Sequence, residues 1–183
     1  MDVSIQKYFH DLKSKDKEVQ YAAYQNLLSE TEKEVDWAYE VWEQLLQDLS
    51  SPDPHSRSRA AQFLARLAIS DPEKRMLRDF SRLWEAAKDP KFVTARHSLQ
   101  VIWRVGLAGK EQQRLVLEHF TDRFTSCREE KNHTLIRFDI IQGLRLLYDE
   151  VKREEIKQSA HGLIAKEEDI KYQKKYAAVW KNT

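Results

Sequence analysis

The sequence predicts an all-α fold of stacked helical hairpins, on the strength of three observations. Apolar residues recur three and four positions apart through most of the chain, the spacing of helices that bury one stripe. The 183 residues include only 4 Gly and 4 Pro, too few for the turns of a β-hairpin protein. A helix-start pattern returns at intervals of roughly forty residues, a period that marks a helical solenoid.

The stretch Ser51–Ile69 sets the frame. Asp53 is a favoured N-cap, Pro54 is preset for the first helical position, and Arg57, Ala60, Leu64 and Leu67 follow at helical spacing. Before it, residues 3–13 predict a short end helix carrying Ile5, Tyr8, Phe9 and Leu12. Val19–Leu28 predicts the next, with Val19, Ala23 and Leu27 on one face. Glu34–Leu49 predicts a third, with Trp37, Val41, Leu45 and Leu49 in one stripe. After it, the pairs Asp71-Pro72 and Asp89-Pro90 repeat at 18-residue steps, each about one helix plus one turn. The first predicts a helix through Met76 and Phe80 that breaks and resumes at Leu83. The second opens a helix over Phe92–Leu107, apolar on two sides, with Gly109 as its stop. Glu111–Thr125, Leu135–Tyr148, Ile156–Ile164 and Tyr172–Trp180 bring the count to roughly ten or eleven helices in one domain over residues 1–183.

Composition and motifs exclude several function classes. Cys127 is the single cysteine, which rules out an intramolecular disulfide and a cysteine metal cage. No apolar run approaches the ~18 residues of a membrane helix, and MDVSIQKYF lacks a basic-then-apolar leader. A soluble cytoplasmic chain with no membrane partner is expected. The net charge of +1 is uneven: residues 1–50 carry 5 Lys+Arg against 11 Asp+Glu, and the remainder carries 26 against 19. Such asymmetry steers an anionic partner towards the later helices. The histidines are scattered without a zinc-protease motif, Glu130 and His133 form a lone Glu-x-x-His, and no glycine-rich phosphate loop occurs. The expectation is a chain that is not an enzyme, with no catalytic residue, no metal and no cofactor. Trp37, Trp42, Trp84 and Trp103 are expected to fill gaps between helices.

Five frames align on the second helix of each hairpin. Val19–Ala23 leads to Leu27, Ser56–Ala60 to Leu64, Ile136–Ile140 to Leu144 and Tyr172–Tyr176 to Trp180, with a shifted frame near Phe92. Asp16, Asp53 and Asp169 stand seven residues before the anchors Ala23, Ala60 and Tyr176. This pattern resembles the HEAT-repeat family of α-solenoids, in which a turn Asp and a helix Arg mark each second helix. The resemblance covers nearly the whole chain. The second repeat has both Asp53 and Arg57, whereas the first and fifth carry Gln20 and Gln173 in the Arg position.

The resemblance implies a right-handed α-α superhelix of about five hairpins whose second helices line a concave face. Asp53, Arg57 and Arg137 would then hold turns together. Arg59, Arg96, Trp103, Arg104 and Lys175 are the candidates for contacting a ligand on that face. A protein or peptide partner on a non-catalytic scaffold is expected. Nucleic acid is the alternative, because the HEAT-like bacterial alkylpurine DNA glycosylases bind DNA in a basic groove. Their pattern of a Trp followed one turn later by a catalytic Asp is absent: Trp84 has Asp89 five residues on, and Asp89 reads better as a helix cap.

Overall fold

Ten α-helices run through the computed structural model, which describes residues 1–181. They are α1 (Val3–Asp11), α2 (Lys17–Glu30), α3 (Ala38–Asp48), α4 (Pro54–Leu67), α5 (Arg75–Ala86), α6 (Phe92–Leu99), α7 (Lys110–Ser126), α8 (His133–Val151), α9 (Glu154–Ala165) and α10 (Ile170–Val179). Short 3₁₀ segments lie at Ala68–Ser70, Ile102–Ala108 and Cys127–Glu129. Among the described residues there is no strand, and no helix is long and apolar enough to cross a membrane.

Aspartates start several helices, as their positions suggest. Asp16 accepts from the N–H groups of Glu18 and Val19 at α2, Asp53 from His55 and Ser56 at α4, and Asp169 from Lys171 at α10. Pro54 sits in the first turn of α4, where its missing N–H is no loss. Asp71 departs from expectation. The residues after it form a turn, Lys74 takes a left-handed backbone (φ 54°), and α5 starts only at Arg75. The Asp71 carboxylate then caps Arg75 and Met76, and α5 runs unbroken past Leu83 where the sequence suggested a break.

The predicted helix over Phe92–Leu107 is in fact two elements, because α6 ends at Leu99 and 3₁₀ geometry runs from Ile102 to Ala108. Ser98 stands next to that end, its hydroxyl donating to the Thr94 carbonyl at 2.8 Å, a back-bond that accompanies weakened or bent helices. Gly109 (φ 150°) turns the chain into α7 through a backbone state that side chains rarely adopt.

Consecutive helices pack in pairs: α1 on α2, α3 on α4, α5 on α6, α7 on α8 and α9 on α10. The even-numbered helices also touch in series, α4 on α6, α6 on α8 and α8 on α10, and α5, α7 and α9 do the same. One apolar cluster from Ile5 to Trp180 draws on all ten helices. Trp37, Trp42 and Trp84 lie within it, while Trp103 is half-buried at its edge. Trp42, Phe63, Phe80, Phe120, Phe124 and Tyr176 are fully buried, and each such side chain contributes about 1.5–3 kcal/mol. Their polar tips are matched: Trp42 Nε1 donates to Asp79 at 3.0 Å and the Tyr176 hydroxyl to the Thr134 carbonyl at 2.9 Å.

Arginines tie successive hairpins together. Arg57 donates to Asp89 through Nε (2.5 Å) and Nη2 (3.0 Å), and to the Ser51 carbonyl of its own turn. Buried Arg137 donates to the Phe124 carbonyl at 3.0 Å and to Glu167 at 2.9 Å. Gln20 and Gln173 stand where Arg was expected, and the amide N–H groups of both bond to their own preceding turns. Gln20 donates to the Leu12 and Ser14 carbonyls, and Gln173 to that of Glu167. Gln20 also keeps a link to the next hairpin, its Oε1 accepting from Arg59 at 2.8 Å.

Candidate functional site

The five residues expected to meet a ligand all belong to even-numbered helices or to the 3₁₀ segment after α6. They do not converge on one spot. Arg96 on α6 makes a two-pronged contact with buried Asp139 on α8, Nε at 2.7 Å and Nη2 at 2.8 Å. Gln100 adds a third bond to the same carboxylate at 3.0 Å. Arg104 lies 5.0 Å over the Trp103 ring and donates to Glu32 at 2.6 Å. Glu32 also accepts from Arg66 at 2.7 Å. Burial alone would raise the Glu32 pKa, but the two arginine bonds outweigh it and hold the carboxyl below its usual range. Lys175 is exposed on α10, its ammonium 4.9 Å from the Phe138 ring.

Arg59 differs from the other arginines of this set. Its Nη1 donates to the Leu12 carbonyl at 3.2 Å and its Nη2 to the Gln20 amide oxygen at 2.8 Å. Both acceptors are neutral, and Arg59 is in no ion pair among the described residues. It forms part of the wall of a groove of about 430 Å³ lined by Lys17, Gln20, Tyr21 and Tyr24 of α2, His55, Ser58 and Gln62 of α4, and His97 of α6.

The local sequence explains that lining. Positions 17, 20, 21 and 24 share one face of α2, and 55, 58, 59 and 62 share one face of α4, because steps of three and four return to the same side of a helix. The two sets are separated by a constant 38 residues, and the same step carries Arg59 to His97. Tyr21, Arg59 and His97 are therefore equivalent positions on three successive even-numbered helices. The Tyr24 hydroxyl donates to Gln62 Oε1 at 2.6 Å, and Gln62 donates to Ser58, so this part of the wall is held by hydrogen bonds. Burial pushes the Tyr24 phenol up, which keeps it a neutral donor at physiological pH.

Tyr21 is 64% exposed, its ring 6.4 Å from that of Tyr24. No Asp or Glu lines the groove, and the nearby Asp16 and Asp53 are occupied by the helix N–H groups they cap. Of the groove residues, the sequence reading singled out only Arg59 as a ligand contact. The signal that would have found the others is the constant 38-residue step between matching faces, which an alignment on the turn aspartates blurs by one residue.

Other clusters differ in chemistry. Arg59 also borders a second cavity of about 230 Å³ between α1, α3 and α4, with an apolar floor that includes Phe9, Val41, Leu45 and Phe63 and a rim carrying Lys13, Glu40 and Asp48. Asp89 is held by Arg57 and by the Lys91 N–H, a bonding pattern that depresses its pKa and leaves it a structural anion. Buried Cys127 has its thiol pushed up by desolvation, the opposite of an activated nucleophile. No group of His, Cys, Asp and Glu among the described residues is arranged to hold a metal ion.

No protein-family model matches the chain, and no curated protein matches it. Among solved structures it is similar to the crystal structure of an engineered protein, a Northeast Structural Genomics Consortium target, with a TM-score of 0.60 at 15% identity. The match covers 98% of this chain and 78% of the engineered one. At that identity the likeness bears on the all-helical fold alone.

Proposed function

We propose that the chain is a non-catalytic, HEAT-like α-solenoid module that holds a protein or peptide segment on a concave face formed by α2, α4, α6, α8 and α10. The observation that carries this reading is the groove. One register position returns every 38 residues with a side chain suited to contact, Tyr21, then Arg59, then His97, along a cavity of about 430 Å³. The solenoid part is supported by pairwise packing of consecutive helices with even-numbered helices touching in series, since each hairpin buries its apolar face only against neighbours. A peptide is favoured over a nucleic-acid duplex by the pairing of Arg96 with Asp139 and of Arg104 with Glu32. Both cations are engaged by carboxylates within the chain, whereas a duplex needs several free cations in register with its phosphates.

Selection of peptides from a random displayed library on the immobilised protein tests the proposal. The selected peptides should lose affinity on Tyr21→Ala or His97→Ala and keep it on Glu118→Ala, an exposed position of α7. Peptides indifferent to every even-helix substitution would overturn it. A labelled DNA duplex titrated at low and near-physiological salt provides the second arm. Tight binding that weakens steeply with salt would put nucleic acid in place of the peptide.

A further inference from the structure

We propose that the groove between α2, α4 and α6 takes an acidic segment bearing an aromatic side chain, with the ligand's carboxylates against Lys17 and Arg59 and its ring against Tyr21. The proposal rests on the concave-face reading and narrows it to one ligand chemistry.

Charge supplies the first reason. Lys17 and Arg59 both line the groove, and neither is in an ion pair among the described residues. The lining contains no carboxylate, although residues 1–50, which supply α2, hold 11 Asp+Glu against 5 Lys+Arg. The lining draws Lys17, Gln20, Tyr21 and Tyr24 from that acid-rich stretch and its other residues from the basic remainder, and it carries two cations and no carboxylate. Formal charges of one sign, left unmatched in a concavity, attract an anion and reject a cationic segment.

Ring exposure supplies the second reason. Tyr21 stands 64% exposed beside Lys17 and Gln20, with only the Tyr24 ring near its own. An aromatic face left in water next to cations is the arrangement that gains most from a second ring laid over it. Of the remaining lining groups, the two exposed histidines offer donors and acceptors to a peptide backbone, whereas Gln20, Ser58 and Gln62 are already bonded within the chain.

The test is fluorescence anisotropy with a labelled peptide of glutamates around one central phenylalanine. Its probes include the same peptide with lysines in place of the glutamates and a single-stranded oligonucleotide of similar length. The acidic peptide should bind the intact chain, and the lysine peptide should not. Lys17→Glu and Tyr21→Ala should each weaken binding by about tenfold or more, with melting temperature unchanged because both side chains are exposed. Equal binding of the lysine peptide, binding untouched by both substitutions, or an oligonucleotide that outcompetes the acidic peptide would each overturn the inference, as would no binding of the acidic peptide. If library-selected peptides still depend on Tyr21 while the glutamate peptide does not bind, only the acidic chemistry fails. If neither depends on any even-helix residue, the concave-face reading fails with it.

Discussion

Replacing Arg96 by Ala separates a fold-holding arginine from a ligand-binding one. Asp139 is 4% exposed and accepts three bonds, two from Arg96 and one from Gln100. The substitution removes two of them and leaves a buried carboxylate with a single neutral donor. Taking away one partner of a buried pair costs about 3–5 kcal/mol. The Arg96 side chain is 30% exposed, so water reaches its end of the pair and about 2–3 kcal/mol is the expected loss. In a domain of this size each kcal/mol moves the melting temperature by about 2–4 °C, which gives a fall of about 4–12 °C by circular dichroism. Asp139→Asn removes the charge that Arg96 matches, so the double variant should lose clearly less than the sum of the single losses. A fall of less than about 1 °C, or strict additivity, would refute the assignment and return Arg96 to the ligand-binding set.

Other consequences can be checked by similar means. Trp42→Phe leaves buried Asp79 without its indole donor and should cost about 1–3 kcal/mol in urea unfolding, whereas an unchanged midpoint would mean that Arg78 alone satisfies the carboxylate. Gly106→Ala places a methyl 2.8 Å from two carbons of fully buried Leu147 and should destabilise by about 1–3 kcal/mol. Gly162→Ala in α9 meets nothing within 4 Å and should stabilise by about 0.5–1 kcal/mol; a reversed order of the two glycine variants would contradict the packing. Arg57 bonds lower the pKa of Asp89. Burial tends to raise that of Asp79, but the Arg78 and Trp42 bonds win and leave it lowered as well. A carboxyl whose folded pKa lies below its unfolded value adds stability above that unfolded value and loses it as pH falls through the folded one. Melting temperature should therefore fall as pH drops below the unfolded carboxylate range near about 4, and Asp89→Asn should flatten the fall; a rise on acidification would reverse the sign. Cys127 should resist thiol reagents in the folded protein and react once urea unfolds it, since it is fully buried with its pKa raised.

Helix existence was legible because it rests on local chemistry. The caps at Asp16, Asp53 and Asp169 involve N–H groups two or three residues away, and the apolar stripes need only the helical period. Legibility failed where a side chain chose between two local bonds. Asp71 capping Arg75 and Met76 from beyond a turn delayed α5, and Ser98, bonded back to Thr94, stands where α6 gives way to 3₁₀ geometry. The candidate site was legible in one residue, Arg59. The rest of the groove consists of ordinary Tyr, His, Lys, Gln and Ser, whose significance depends on which helices lie side by side.

The sequence by itself determined the all-helical class, most helix positions and the burial of Trp37, Trp42 and Trp84, since periodicity and capping act within a few residues. Only the tertiary structure decided the fate of the arginines. Arg96 and Arg104 meet carboxylates 43 and 72 residues away, while Arg59 meets only neutral acceptors. A cation's role depends on whether an anion stands within bonding distance, and over such separations chain packing, not local sequence, sets that distance.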